Sequence, residues 1–289
     1  MRGIGWLGVV GIVTVGCKPA EEAPPADTDA TYSMADAATY VFSGFEGDEA
    51  ELATALLDLE RAMGAVDLTA SDPKDRAYTI DKLTADELGG ATAPPGADPA
   101  NQIASLVLGL SNKDIAANDT LVLETNQVCI ESNTTVYYER TFTSDTGCFT
   151  DGSCDILRST NEVRKENLLA KAWYDLYKDF RHVDLGDGRV ALISRSWADK
   201  SYKGDNEANE FTQTFTSEIW IPSGTETLRA YAMWAEIKIG IGADALQNII
   251  IDGIDEGMQN ADKFLDGDMS YCRLRSEEHT SELQSPCNL

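Results

Sequence analysis

The chain has 289 residues, with 49 Asp and Glu against 23 Lys and Arg and a formal net charge of −26. So acidic a balance excludes nucleic acid and anionic lipid surfaces as partners, since both demand a basic footprint. The length suits one large or two small domains with a sizeable core, and the charge leaves three readings: a cationic partner, divalent cations, or a surface adapted to salt.

At the N-terminus, Met1-Arg2 is a short basic start and residues 4–15 form an almost uncharged apolar run. Thr14-Val15-Gly16-Cys17 closes that run with small residues before a cysteine. This is a secretory signal layout, and the run is too short to span a bilayer. The segment resembles the lipobox of bacterial lipoproteins, departing from it at Thr14, where that family usually has Leu, Val or Ile. The resemblance implies that residues 1–16 are a signal peptide and that Cys17 is the acylated first residue of the mature protein. The partner of this end is then a membrane, reached through lipid. Lys18 stands where lipoproteins kept at the inner membrane often carry Asp, which implies the outer membrane. Residues 17–32 are rich in Pro, Ala and acid and read as a disordered tether. Residues 33–274 read as a single domain, helical over 33–115 and sheet-rich over 120–266.

Within that domain, Asp48 and Glu51 have capping-box spacing ahead of a helical apolar period, which predicts a helix over 48–64 and another before it over 33–43. Residues 89–99 read as a surface loop. Asp98-Pro99 then opens a short helix with Ile103, Leu106, Val107 and Leu110 on one side. Residues 121–123 and 128–142, rich in Val, Thr and Tyr, read as strands, with a loop over 143–155. Ser159 and Glu162 repeat the capping-box spacing, and Leu169, Trp173, Leu176 and Phe180 follow at helical period. These predict a helix over 160–180, an aromatic strand at 173–183 being the alternative.

Residues 182–185 and 190–197 flank Gly186-Asp187-Gly188, and residues 211–221 and 228–239 flank Pro222-Ser223-Gly224. They read as an antiparallel meander whose apolar face carries Phe211, Phe215 and Ile219 with Tyr231, Met233 and Ile237. Asp244 and Gln247 cap a last helix over 244–265, striped by Leu246, Ile249, Ile250, Ile254, Met258, Ala261 and Leu265. Gly253 and Gly257 on that stripe suit close packing of helix on sheet. The predicted class is α+β, an antiparallel sheet meander with packed helices including a long C-terminal amphipathic helix. Over 120–266 this element order resembles the helix-grip, START-like fold, which implies a helix closing a curved sheet over an apolar cavity.

The last residues are of another kind. Arg275-Ser-Glu-Glu-His-Thr-Ser-Glu-Leu-Gln-Ser285 resembles the translation of a short-read library adapter, and residues 275–289 are set aside as artefactual. The chain has six cysteines. Leaving out Cys17 and Cys287 leaves Cys129, Cys148, Cys154 and Cys272, which in an exported chain suggest two disulfides in one of three connectivities. Cys148 with Cys154 in a small loop, and Cys129 with Cys272, is the preferred pairing. The spacings do not suit zinc, and His182 is the only histidine outside the tail.

No G-x-S-x-G, phosphate-cradling glycine loop or dinucleotide fingerprint is present, so no catalytic residue and no cofactor is assigned. Asp199, Ser201, Gly204, Glu207 and Glu210 fall at EF-hand-like positions, but Lys203 sits where an oxygen ligand is needed and the flanks read as strands. A solvated acidic loop, with no metal, is expected there. Trp173, Trp197, Trp220 and Trp234, with Tyr174, Tyr177 and Tyr231, either fill the core or line a cavity for an apolar ligand. The expectation is a non-enzymatic envelope lipoprotein that binds an apolar ligand or a protein partner. The alternatives are an envelope hydrolase using carboxylates and a structural or assembly subunit of the outer membrane. A cavity under the last helix favours the first, two carboxylates about 5–9 Å apart in an open cleft the second, and a filled core the third.

Overall fold

The computed structural model describes residues 21–23, 29–166, 171–205 and 209–272. The signal-like segment, Cys17 and the adapter-like tail lie outside these residues. Helix α1 (Met34–Ser43) begins at Ser33, whose hydroxyl accepts from the Asp36 N–H; α2 (Glu49–Met63) begins at Asp48, whose carboxylate accepts from Ala50 and Glu51. Each cap satisfies first-turn donors that the helix itself cannot. The two helices bury Phe42, Leu52, Leu56 and Leu59 completely.

The strands are β1 (Glu21–Glu22), β2 (Ala77–Thr79), β3 (Ile103–Ser111), β4 (Thr135–Phe142), β5 (Ile156–Glu166), β6 (Lys171–Asp184), β7 (Val190–Trp197), β8 (Tyr202–Lys203), β9 (Glu210–Ser223) and β10 (Glu226–Lys238). They form one sheet in the order β1-β2-β3-β10-β9-β7-β6-β5-β4, with β8 also paired to β9. All pairings are antiparallel except β1 with β2. The remaining helices are α3 (Ile115–Leu123), the short α4 (Thr146–Thr150) and the long α5 (Ala243–Leu265). The protein is therefore α+β. No helix among the described residues is long and apolar enough to cross a membrane.

The central strands are covered on both faces. Toward α1 and α2 point Leu106 and Leu108 of β3, Ala230, Ala232 and Trp234 of β10, and Phe215 and Ile219 of β9. Phe42 meets Phe215 edge-on at 5.9 Å, and the Trp234 indole donates to the Asp81 carbonyl at 2.8 Å. Toward α5 point Val107, Tyr231, Met233 and Ile237. The six residues expected on one meander face are thus divided between two. A bulge in β9 adds to the division, because the pairing passes from Glu236–Gln213 to Ile237–Phe211 and skips Thr212. One extra residue reverses the alternation and sends Phe211 to the side opposite Phe215.

Several elements differ from the sequence reading. Only Pro99–Asn101 turns as a 3-10 helix; Ile103, Leu106, Val107 and Leu110 lie in β3. A strand buried on both faces carries a continuous apolar run, which also satisfies a helical period. Residues 121–123, expected as a strand, are the last turn of α3, started by Asp114 accepting from the Ala117 N–H. Residues 128–134 are a loop, and the strand begins at Thr135.

In place of the expected helix over 160–180, the described residues 160–166 and 171–180 belong to β5 and β6, paired in register from Ile156–Arg181 to Glu166–Lys171, and Leu169 lies outside the described residues. Trp173 and Phe180 satisfied a helical period by coincidence, while Tyr174, Leu176, Lys178 and Phe180 alternate onto the α5 side. Asp244 and Gln247 do not cap α5, whose N-cap is Gly242; Gln247 donates instead to Thr79 and Ser105. The division into a helical and a sheet-rich part also gives way, since β3 pairs with β10 along nine residues of each. Glu21 and Glu22, inside the expected tether, pair with Tyr78 and Thr79 because β2 offers an unpaired edge.

Three guanidinium groups tie the layers together. Arg195, 2% exposed, ion-pairs with Asp179 at 3.0 Å and with Glu46, and its Cζ lies 4.7 Å from the Phe45 ring. Arg76 pairs with Asp255 of α5 and donates to the Leu108 carbonyl of β3. Arg229 pairs with Asp262 of α5 at 3.0 Å and donates to the Met258 carbonyl at 2.8 Å. At Gly109 a Cβ would stand 2.8 Å from the Met258 sulfur, so glycine permits the close approach of α5 to β3. Truncating Phe42 to Ala should remove about 3–5 kcal/mol of unfolding free energy through lost burial and a residual cavity, measurable by urea denaturation.

Candidate functional site

Helix α5 lies across the sheet without filling the space beneath it. A cavity of about 250 Å³ remains, between α5, the inner face of β4 to β7, β9 and β10, and the stretch from α3 through residues 127–134. Trp220, Tyr231 and Met233 face it from the sheet, and Leu246, Ile250, Ile254 and Met258 from the helix. Tyr174 and Phe211 stack on one another at 5.1 Å along the same wall. The space persists because small residues stand where large ones would close it: Ala172, Thr214 and Thr216 on the strands, Gly253 and Gly257 on the helix. A Cβ at Gly253 would meet nothing within 4 Å. This glycine therefore opens space toward the cavity and does not serve close packing on the sheet. Ile249 lines the cavity and is also 38% exposed, which marks an edge open to solvent.

The lining is apolar with a charged sector. Lys165 of β5 pairs with Glu131 at 3.3 Å, and Lys178 of β6 pairs with Glu218 of β9. Arg140 of β4 and Arg229 of β10 complete it. Burial pushes the Glu131 carboxyl up, but the Lys165 and Lys178 ammoniums with Arg140 outweigh it and hold the group below the usual carboxylate range. Burial pushes the Tyr174 phenol up to about 12 despite the opposing Lys165 charge. Burial also raises the Tyr231 phenol well above its ordinary value. Both hydroxyls therefore stay protonated at neutral pH and present hydrogen-bonding groups to the cavity.

Of the aromatic residues singled out from sequence, Trp220, Tyr174 and Tyr231 line this cavity. Trp234 is fully buried on the opposite face, Trp197 stacks on Tyr177 at 5.4 Å, and Trp173 is 55% exposed. The charged sector was not found from sequence. Its signal is charged residues within strands: a strand reading of 156–184 brings Lys165 and Lys178 forward, while Glu218 and Arg229 already stand in the strands read over 211–221 and 228–239.

His182 sits away from the cavity lining, with Nε2 3.1 Å from Asp119 and its ring stacked on Phe149 at 4.3 Å. In the EF-hand-like stretch, the Tyr177 hydroxyl donates to Asp199, the Ser201 hydroxyl donates to the Thr212 carbonyl at 2.9 Å, and Glu210 pairs with Lys238 at 3.2 Å. Glu207 lies outside the described residues. Cys129 is bonded to Cys272, with Cα atoms 5.3 Å apart, and Cys148 to Cys154 at 5.2 Å. The first link ties the chain beyond α5 to the loop that supplies Ile130, Glu131 and Ser132 to the cavity.

No protein-family profile matches the chain, and no curated protein matches it. Among solved structures it is similar to a STAR-related lipid transfer protein from Xanthomonas axonopodis, with 11% identity over 56% of this chain and 85% of that one and a TM-score of 0.41. It is similar also to a START superfamily protein from Mycobacterium smegmatis, with 8% identity over 57% and 97% and a TM-score of 0.36. A third is the human StarD13 lipid transfer and protein localization domain, with 7% identity over 65% and 82% and a TM-score of 0.37.

The Glu131 carboxylate is favoured in the fold, so its contribution to stability is present above the unfolded value of about 4.3 and is lost as pH falls through the lower folded value. Thermal unfolding followed from about pH 6 down to about pH 3 should show this loss, and Glu131→Gln should flatten the profile over that acidic window.

Proposed function

We infer that this protein is a lipid-anchored component of a bacterial cell envelope whose domain binds a small apolar or amphipathic molecule in the cavity beneath α5. The single observation that carries the binding reading is an apolar space of about 250 Å³ beneath α5, kept open by glycines and short side chains. Small-molecule sites are concave, mostly apolar and furnished with a few placed polar groups, as this one is. Anchoring through Cys17 at the outer membrane is supported by the signal-like run, the small residues before the cysteine and the acid- and proline-rich stretch that follows. Pairing of Cys129 with Cys272 and of Cys148 with Cys154 suits the same oxidising compartment. The reading is of a binding protein, because the two cavity carboxylates, Glu131 and Glu218, are each held by a lysine. The Glu131 carboxyl, held below the usual carboxylate range, stays ionised and makes a poor general acid.

Native mass spectrometry of the chain recovered from cells should show co-purified ligand mass. Gly253→Phe, which projects a ring into the cavity, should remove that mass while unfolding cooperatively like the parent. Retention of the ligand by the folded variant would place binding elsewhere. Intact-mass analysis without reductant should find an acylated Cys17 and no free thiol at the other four positions; a Cys17→Ser variant should leave the membrane fraction.

A further inference from the structure

The charged sector of the cavity is unbalanced. Four cations line it, in a protein whose formal charge is −26. Three have carboxylate partners: Lys165 with Glu131, Lys178 with Glu218, and Arg229 with Asp262. Arg140 does not. Its Nε donates to the Asn161 side-chain oxygen at 3.1 Å, and its Nη1 donates to the carbonyls of Val122, Leu121 and Glu124. The Phe180 ring lies 4.9 Å from its Cζ. The residue is only 4% exposed, yet it ion-pairs with no carboxylate among the described residues, where its hydrogen bonds run through Nε and Nη1. The carbonyls it meets end helix α3 and supply a partial charge of about half a unit, less than a guanidinium carries. A buried cation with incomplete compensation is unfavourable until an anion approaches.

The geometry points to a ligand that brings this anion: a single-chain amphiphile with an acidic head, placed against Arg140, with its chain lying along Trp220, Met233, Ile250 and Ile254. The assignment rests on the cavity being a ligand site and adds the head-group chemistry. A volume of about 250 Å³ lies just below the range of roughly 300–1,000 Å³ usual for small-molecule pockets, which suits one chain and not two. With Nε and Nη1 engaged, Nη2 is the group of Arg140 left to donate, and it suits one oxygen of either a carboxylate or a phosphate. Glu131 feels the Arg140 charge as well as those of Lys165 and Lys178, so four cations share three carboxylates, Glu131, Glu218 and Asp262, and one acidic head balances the charge left over.

Isothermal titration of the full chain, stripped of co-purified lipid, decides the matter. The probes are decanoate, decyl phosphate, decanol and decyltrimethylammonium, at about pH 8 where a free carboxylic acid is ionised. At least one of the two acids should bind about tenfold or more tightly than decanol and the cationic amphiphile, as a charge-assisted hydrogen bond to a buried group implies. Which acid binds more tightly distinguishes a fatty-acid head from an alkyl-phosphate head. Arg140→Gln should abolish the preference of acid over alcohol while leaving decanol affinity in place, and Arg140→Lys should retain much of it. Equal affinity of the wild-type chain for decanoate, decyl phosphate and decanol would overturn the acidic head and leave the cavity reading intact. Binding of none of the four would overturn the cavity reading itself. Should Arg140→Gln fail to fold, the wild-type comparison of acids with alcohol still confirms or overturns the proposal.

Discussion

Helix α5 is held to the sheet by two buried guanidinium groups, and the rest of the architecture follows from where they act. Arg76 reaches Asp255 and the β3 backbone, and Arg229 reaches Asp262 and the Met258 carbonyl. Both fasten the central and C-terminal part of the helix along β3 and β10, where Gly109 admits Met258. Buried ion pairs add little net stability compared with apolar packing, but they fix position, because breaking either leaves an uncompensated charge. Leu246, Ile250, Ile251 and Ile254 then pack near Ala77 and Val107. The same helix passes over β9 and the strands beyond at a height their side chains do not fill. The cavity is the consequence.

The opposite face obeys a different rule. There α1 and α2 lie directly on the sheet, and Trp234, Phe215 and Phe42 leave no space. Alternation along β9 and β10 delivers every second residue to this filled side and the rest to the cavity side, so one pair of strands serves both stability and site. Arg195 closes the filled side, sandwiched between Phe45 and Trp197 while it neutralises Asp179. The bulge at Thr212 transfers one aromatic residue, Phe211, from the filled side to the cavity, where it stacks on Tyr174.

The site was legible in part. Trp220, Tyr174 and Tyr231 stood out as aromatics, and the long amphipathic helix with its two glycines was plain in the spacing. The β5–β6 pair was not, because apolar and aromatic residues at 169, 173, 176 and 180 fit a helical period as well as a strand. With that pair read as a helix, Lys165 and Lys178 had no place on an inward face, and the charged sector stayed hidden. Strand β3 was missed for a related reason: burial on both faces erases the alternation that identifies a strand.

Local sequence determined whatever depends on neighbours in the chain. The caps at Ser33 and Asp48, the turns at 186–188 and at Gly224-Thr225, the stripe of α5 and the acidic surface all arise from residues within a few positions of one another. Tertiary structure alone decided which face of the meander meets which helix, that β3 joins β10, and that Arg140 faces a cavity with no carboxylate at ion-pairing distance among the described residues. Those outcomes depend on groups far apart in sequence, such as Arg76 and Asp255 or Glu131 and Lys165, whose partners are set by the packing of whole layers. A period of two or of 3.6 states which residues share a face; it carries no information about what that face will meet.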